Sequence, residues 1–278
     1  MGDQTSQAAH LLKAIFPKRL SISDNFKENL VHLLPAGVSQ HRSEQEPIYG
    51  KQNYIAYEAL FRPSENITSL SISELSKMFY HLGAQEKFDA LTLQKGLNDA
   101  KNFPVTLNIS VKSALSPEFW NNIEGVLKNH NPQDIIFEIL EHDVALDADI
   151  SHLETLKELG FKFALDDFSI GESHKNRLAV FTDLIDYIKI DGPLVRAGLG
   201  DKNTPFTEND FIKLTDNLRE VAPHTKLIAE HVNNAKEAAS LFWLGFDGVQ
   251  GRDLNPEDFP YTPEAQALAK TESTCDHA

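Results

Sequence analysis

Cysteine is nearly absent from this 278-residue chain, the single example being Cys275 near the C-terminus. One thiol cannot form an intrachain disulfide, and it offers neither a disulfide-stapled scaffold nor paired-cysteine metal ligation. Basic charge is also scarce. Lys and Arg number 26 against 41 Asp and Glu, a formal net charge of −15. A chain so acidic lacks the electrostatic footprint that holds a phosphate polymer, which excludes DNA and RNA as polymeric partners. An anionic membrane surface is disfavoured for the same reason. Apolar runs end after a few residues, far short of the roughly 20 that span a bilayer. The first residues show neither the basic start nor the apolar stretch of a signal peptide. The expectation is a cytoplasmic protein. Also missing are a glycine-rich dinucleotide fingerprint, a P-loop, a Gly-x-Ser-x-Gly elbow around Ser110 or Ser169, and paired ligand spacing among the 11 histidines. Their absence argues against a dinucleotide-binding open sheet, serine-nucleophile chemistry and a histidine-held zinc.

What is present is a rhythm. From about residue 46, short β-branched apolar runs alternate with stretches of helical period. Strands are predicted at 47–49, 54–61, 105–110, 135–141, 161–168, 187–191, 226–232 and 248–250. Ser71 and Glu74 have capping-box spacing, Ser116-Pro117 pairs a cap with a proline at the first helical position, and Gly160 and Gly245 stand where helices should stop. Eight strands alternating with helices predict an α/β fold closed as a (β/α) barrel. Residues 1–45 hold two amphipathic patterns interrupted by Pro17 and Pro35 and read as a helical extension packed on the barrel or on a partner. Residues 262–278 turn polar and aperiodic and read as a mobile tail. Trp120, Trp243 and the phenylalanines fall at helix-face positions and read as core, whereas the histidines read as surface or cap residues.

The strand ends carry the chemistry. They finish in Glu58, Asn108, Glu138 with Glu141, Asp166 with Asp167, Lys189 with Asp191, Glu230 and Gln250. In a (β/α) barrel the C-terminal ends of the strands converge on one face, where active sites form. Any one of these residues reads equally as a turn former, a helix cap or an ion-pair partner. Together, crowded carboxylates would repel one another and rise in pKa unless a cation lay among them. An all-oxygen ligand set favours Mg²⁺ or Mn²⁺ over Zn²⁺. The neighbours Asp166 and Asp167 can serve one site only if the strand bends between them. Lys189 lies between isoleucines, and an inward ammonium must pair with a carboxylate or act on substrate.

These strand ends also spell a sequence pattern. Glu58-Ala59-Leu60 with Phe61-Arg62 resembles the signature of EAL-domain phosphodiesterases, which cleave cyclic di-GMP. Leu107-Asn108-Ile109-Ser110, Glu138-Ile139-Leu140-Glu141, Asp166-Asp167-Phe168, Lys189-Ile190-Asp191, Ala229-Glu230 and Gln250-Gly251 continue it in order over residues 46–261. The resemblance implies a modified TIM (β/α)8 barrel whose first strand is antiparallel. It implies a cytoplasmic, metal-dependent phosphodiesterase giving linear pGpG through a water activated by two Mg²⁺ or Mn²⁺ ions. Glu58, Asn108, Glu138 and Asp166 would hold one ion, and Asp166 with Asp167 a second. Lys189 would contact the attacking water, Glu230 would bind water or metal and assist proton transfer, and Gln250 would orient the cluster. Leu60, Arg62 and Asp191 would contact the nucleotide, with Arg62 on a phosphate. Glu141 would anchor the loop after Asp167, which in the family couples metal binding to dimerisation.

The chain departs from the family pattern at several positions. Ser169 replaces a glycine, the Tyr-Ser-Ser after it is lost, His231 and Asn233 stand where glycine and glutamate are common, and Glu46 replaces glutamine. The altered loop motivates an alternative, a catalytically weak or inactive EAL domain acting as a cyclic di-GMP receptor or protein-interaction module. Without the resemblance, a Mg²⁺ barrel enzyme using Lys189 as a general base on a carboxylate substrate also fits. A homodimer and a regulatory protein partner are both left open.

Overall fold

The computed structural model describes residues 41–51, 54–64, 71–81, 83–100, 104–140, 143–255, 257 and 259. Eight strands close in sequence order: β1 (Arg42–Gly50), β2 (Tyr54–Arg62), β3 (Val105–Ile109), β4 (Ile135–Ile139), β5 (Lys162–Phe168), β6 (Tyr187–Ile190), β7 (Lys226–Ala229) and β8 (Gly248–Gln250). β1 runs antiparallel to both of its neighbours, β2 and β8. The other neighbouring strands pair in parallel. The barrel with one reversed strand is therefore as expected.

Two boundaries differ. β1 begins at Arg42 rather than 47, so residues 42–45, assigned above to the helical extension, are strand. They are polar (Arg42-Ser43-Glu44-Gln45) and pair with residues 59–62 of β2, so apolar alternation gives no sign of them. The two amphipathic patterns and the expected tail lie outside the described residues. Secondly, several strands end one to three residues earlier than predicted, because Ser110 and Asp191 are already N-cap positions of the short helices α3 (Val111–Ala114) and α7 (Gly192–Gly198).

Successive strand side chains alternate between the two faces of the sheet, and here the alternation sorts the chemistry. One inward layer is mostly apolar and includes Ile48, Ala56, Ile136, Ala164, Tyr187 and Ile228. Two residues nearer the mouth, which in the reversed β1 means two residues earlier, stand Glu46, Glu58, Glu138, Asp166, Lys189 and, just past the end of β7, Glu230. Asn108 and Gln250 complete this polar layer on β3 and β8. The outward positions, including Leu107, Phe137, Phe163, Ile188 and Leu227, enter a second core shared with the helices. Phe137, for example, meets Trp120 edge-on at 4.9 Å between centroids.

The helices around the barrel are α1 (Ile72–His81), α2 (Gln85–Asp99), α3, α4 (Pro117–Leu127), α5 (Ser151–Glu158), α6 (Glu172–Phe181), α7, α8 (Glu208–Val221) and α9 (Ala235–Trp243). The sequence caps hold. Glu74 N–H donates to Ser71 Oγ at 3.3 Å and Ser71 N–H to Glu74 Oε2 at 2.9 Å. Ser116 accepts from Phe119 N–H, with Pro117 at the first helical position. One core assignment fails: Trp120 is buried, but Trp243 is 86% exposed. It is the last residue of α9, whose buried residues are Ala238 and Leu241, and it falls off that stripe.

Gly251 shows why the Gln250-Gly251 pair needs its glycine. A Cβ there would lie 1.9 Å from the Val232 carbonyl oxygen, and Val232 N–H donates to Gln250 O at 3.0 Å. Gly251→Ala is therefore expected to cost about 1–3 kcal/mol, read from urea unfolding, because backbone rather than a flexible side chain must move.

Candidate active site

Lys189 lies at the centre of the polar layer, 1% exposed. Its ammonium donates to Glu58 Oε2 at 3.1 Å, Glu138 Oε2 at 2.8 Å and Asp166 Oδ1 at 2.8 Å. It also pairs with Glu230 Oε1 at 3.0 Å. Glu58 receives two further bonds, from Asn108 Nδ2 at 2.7 Å and Gln250 Nε2 at 2.6 Å. Residues at the ends of seven strands, β2 to β8, thus meet: Glu58, Asn108, Glu138, Asp166, Lys189, Glu230 and Gln250 form one contiguous cluster.

Its electrostatics are lopsided. Four ionised carboxylates against one ammonium would leave 1 − 4 = −3 in a buried volume. Burial, with the neighbouring carboxylates Glu58 and Asp166, holds Glu138 well above the ordinary carboxylate range despite Lys189. Burial likewise raises Glu230 well above that range and lifts Asp166, each against the pull of Lys189. Burial also acts on Glu58, but Lys189, Asn108 and Gln250 together bring its pKa below the usual value. For Lys189 burial favours loss of the proton, yet the four surrounding carboxylates outweigh it and hold the ammonium well above its usual pKa.

The sheet bends where the paired aspartates require it. The β5–β6 register shifts between Leu165 and Phe168, and Asp167 adopts a left-handed φ of 47°. Asp166 is thereby buried while Asp167 stands exposed at the mouth. Ligand oxygens of Asp166, Asp167 and Glu230 come within 4.8 Å of one another. Glu230 thus stands with the two aspartates as a potential metal ligand. Asn108 Oδ1, Glu138 Oε1, Glu230 Oε2 and Gln250 Oε1 are buried oxygens without a hydrogen-bond partner among the described residues. Orphaned oxygens around excess negative charge are the donor set of a hard divalent cation, so these residues fit Mg²⁺ or Mn²⁺.

A cleft of about 920 Å³ opens above the cluster, lined by Glu58, Asp166, Asp167, Lys189, Glu230 and Gln250 at its floor. That volume is near the upper end of ordinary small-ligand sites. One wall is the β1–β2 ribbon: β2 pairs with β3 at Tyr57 and Glu58, then continues to Arg62 against β1. Leu60, Arg62 and Glu46 line the cleft from this ribbon. Arg62 Nε donates to Glu44 Oε2 at 2.7 Å. Asp191 departs from the expectation. It is not among the residues lining the cleft, because the chain turns there into α7 with Asp191 at its N-cap. Glu141 lies outside the described residues.

Sequence reasoning missed several supporting groups. Asp89 of α2 is buried and accepts from Ser110 N–H at 2.9 Å, Ser110 Oγ–H at 2.6 Å, Ser113 Oγ–H at 2.6 Å and Gln85 Nε2 at 2.8 Å. It fixes the end of β3 just beyond Asn108. A carboxylate beside Phe88 on an otherwise apolar helix face was its signal. His41 and His174, read as surface or cap residues, are buried, and each accepts a backbone N–H through Nδ1, from Ser64 and Ser169 respectively.

The domain is thus a closed (β/α) barrel with a reversed first strand and an acidic, lysine-centred mouth. The chain belongs to the EAL domain family, whose model matches residues 42–256. It is 31% identical over 176 residues to the cyclic di-GMP phosphodiesterase PdeA of Borreliella burgdorferi, covering 59% of this chain and 25% of that protein. It is 25% identical over 220 residues to the cyclic di-GMP phosphodiesterase PdeF of Escherichia coli, covering 74% of this chain and 28% of that one. The chain thus spans roughly a quarter of the length of these relatives. The fold is shared with the FimX EAL domain of Pseudomonas aeruginosa bound to c-di-GMP, at TM-score 0.67 and 21% identity over 82% of this chain and 94% of that one.

Proposed function

We propose that this domain hydrolyses cyclic di-GMP to linear pGpG using two Mg²⁺ or Mn²⁺ ions. The observation that carries this reading is the set of orphaned buried oxygens around Lys189 in a chain of the EAL domain family. Glu58, Asn108, Glu138 and Asp166 would hold one ion; Asp166 and Asp167, with Glu230 beside them, the other. Such ions supply an activated water and stabilise charge on the attacking and leaving oxygens. Lys189 holds four carboxylates in one geometry and presents a permanent positive charge to the developing phosphorane. Glu230 would take a proton from the attacking water. Gln250 fixes Glu58 through its amide. Leu60 and Arg62 would receive the nucleotide along the ribbon; Asp191, outside the cleft lining, would act only through the start of α7. A role for Glu141 as loop anchor, a cytoplasmic location and a homodimer belong to the same reading.

Incubation of purified protein with cyclic di-GMP and a metal panel, followed by chromatography, tests it: pGpG is expected with Mg²⁺ or Mn²⁺ and not with EDTA. The altered loop from Ser169 to His174 favours a second reading, a catalytically silent receptor, which predicts tight binding with intact cyclic di-GMP after hours.

The Glu44–Arg62 pair yields a test of substrate charge. An anionic substrate must compete with Glu44 for the guanidinium, so Glu44→Gln is expected to tighten binding about 2–5-fold, the size of a half-exposed ion pair. Calorimetric titration of cyclic di-GMP in EDTA measures it, and weaker binding would instead assign Glu44 to holding Arg62 in place.

A further inference from the structure

The loop after Asp167 has lost the family's signature residues, yet the bend that splays Asp166 and Asp167 persists. Its support comes from α6. Arg177, 0% exposed, sends Nη2 to the carbonyl oxygen of Asp166 at 2.5 Å and Nη1 to that of Ile139 at 3.4 Å. The first of these carbonyls belongs to the peptide that joins Asp166 to Asp167, the point at which the two carboxylates diverge. The second immediately follows Glu138. One planar guanidinium therefore ties the end of β4 to the bend in β5, and a rigid fork suits two acceptors on adjacent strands. One turn earlier on the same helix face, His174 accepts Ser169 N–H at 3.2 Å and sets its ring edge-on to Phe168 at 5.4 Å. Burying a permanent cation against backbone carbonyls is costly, and here it lies directly behind the carboxylates that face the cleft.

We propose that Arg177 is a positioning residue for the metal site: it fixes the Asp166–Asp167 peptide relative to Glu138, so that the three carboxylates present one geometry. This rests on the metal-dependent reading above.

The test compares wild type, Arg177→Lys and Arg177→Met by Mn²⁺ titration with electron paramagnetic resonance, steady-state kinetics on cyclic di-GMP and thermal melting. Arg177→Met is expected to weaken Mn²⁺ binding about 10–100-fold and lower kcat comparably while KM stays within about 3-fold, the pattern of a displaced ligand set. Arg177→Lys, which keeps the charge and can reach one carbonyl, should recover part of both losses and carries the comparison if Arg177→Met does not fold. A folded variant with a lowered Tm but wild-type Mn²⁺ affinity and kcat would overturn the proposal and leave Arg177 a core residue. Wild-type protein that binds no Mn²⁺ would instead overturn the metal reading on which the proposal stands.

Discussion

Lys189→Met should leave a protein that folds less stably, hydrolyses cyclic di-GMP about 10³-fold more slowly and responds to pH more steeply than wild type. The substitution keeps the length of the side chain and removes its charge. Four carboxylates that share one ammonium at 2.8–3.1 Å are then left facing one another in a buried volume. Breaking a buried ionic cluster in this way costs about 3–5 kcal/mol. The pH dependence follows from the directions of the shifts. Glu138, Glu230 and Asp166 have raised pKa values, so above the usual carboxylate range of about 4 the folded state retains protons that the unfolded chain has released. Each therefore makes the metal-free protein less stable as pH rises through its folded-state pKa. Glu58, lowered, contributes with the opposite sign, and its share is lost as pH falls. Lys189, raised, contributes stability that is complete below about 10.4 and is lost only above it. Between pH 6 and 8 the wild-type ammonium is thus constant and offsets the carboxylates; in Lys189→Met nothing does. The variant's Tm should fall more across that interval than the wild type's. Added Mg²⁺ or Mn²⁺ should raise the variant's Tm at pH 8 by more than it raises the wild type's. Parallel Tm–pH curves for the two proteins would contradict the central role of the ammonium.

Asp167→Asn separates chemistry from binding. Asp167 is exposed at the rim, outside the lysine cluster, and its left-handed backbone turns its carboxylate toward those of Asp166 and Glu230. Replacing one oxygen by an amide preserves the size and removes the charge that a second cation requires. A fall of about 10² in kcat with the Kd for cyclic di-GMP within about 3-fold is expected, from kinetics and from calorimetry in EDTA. Equal losses in both would place Asp167 on the substrate rather than at the metal.

Much of the site was legible because a strand of a closed barrel has an inward face on which polar residues are expensive. Glu138 between Phe137 and Ile139, or Lys189 between Ile188 and Ile190, interrupts an apolar run at a position that must point inward, and that interruption reads directly from sequence. The parts that escaped obey other rules. Residues 42–45 are polar because they lie on the exposed or half-exposed part of the β1–β2 ribbon rather than in a core, so no alternation marks them as strand. Arg177 and His174 share a helix face with Phe181, at spacings of three and four, but their polarity disguised a buried stripe as an exposed one. Asp191 ended a strand like its neighbours, and only the immediate start of α7 removes it from the cleft lining. Trp243 failed for the converse reason, being large and apolar on the outer side of a helix end.

The reversed direction of β1 decides where the chain enters the barrel. In an all-parallel barrel the leading strand starts at the face opposite the active site. Here Arg42 is paired with Arg62, so the polypeptide arrives at the rim of the cleft, with the His41 ring tilted against Phe61 at 5.0 Å between centroids. The segment ahead of His41 therefore joins the barrel at the cleft rim rather than at the opposite face.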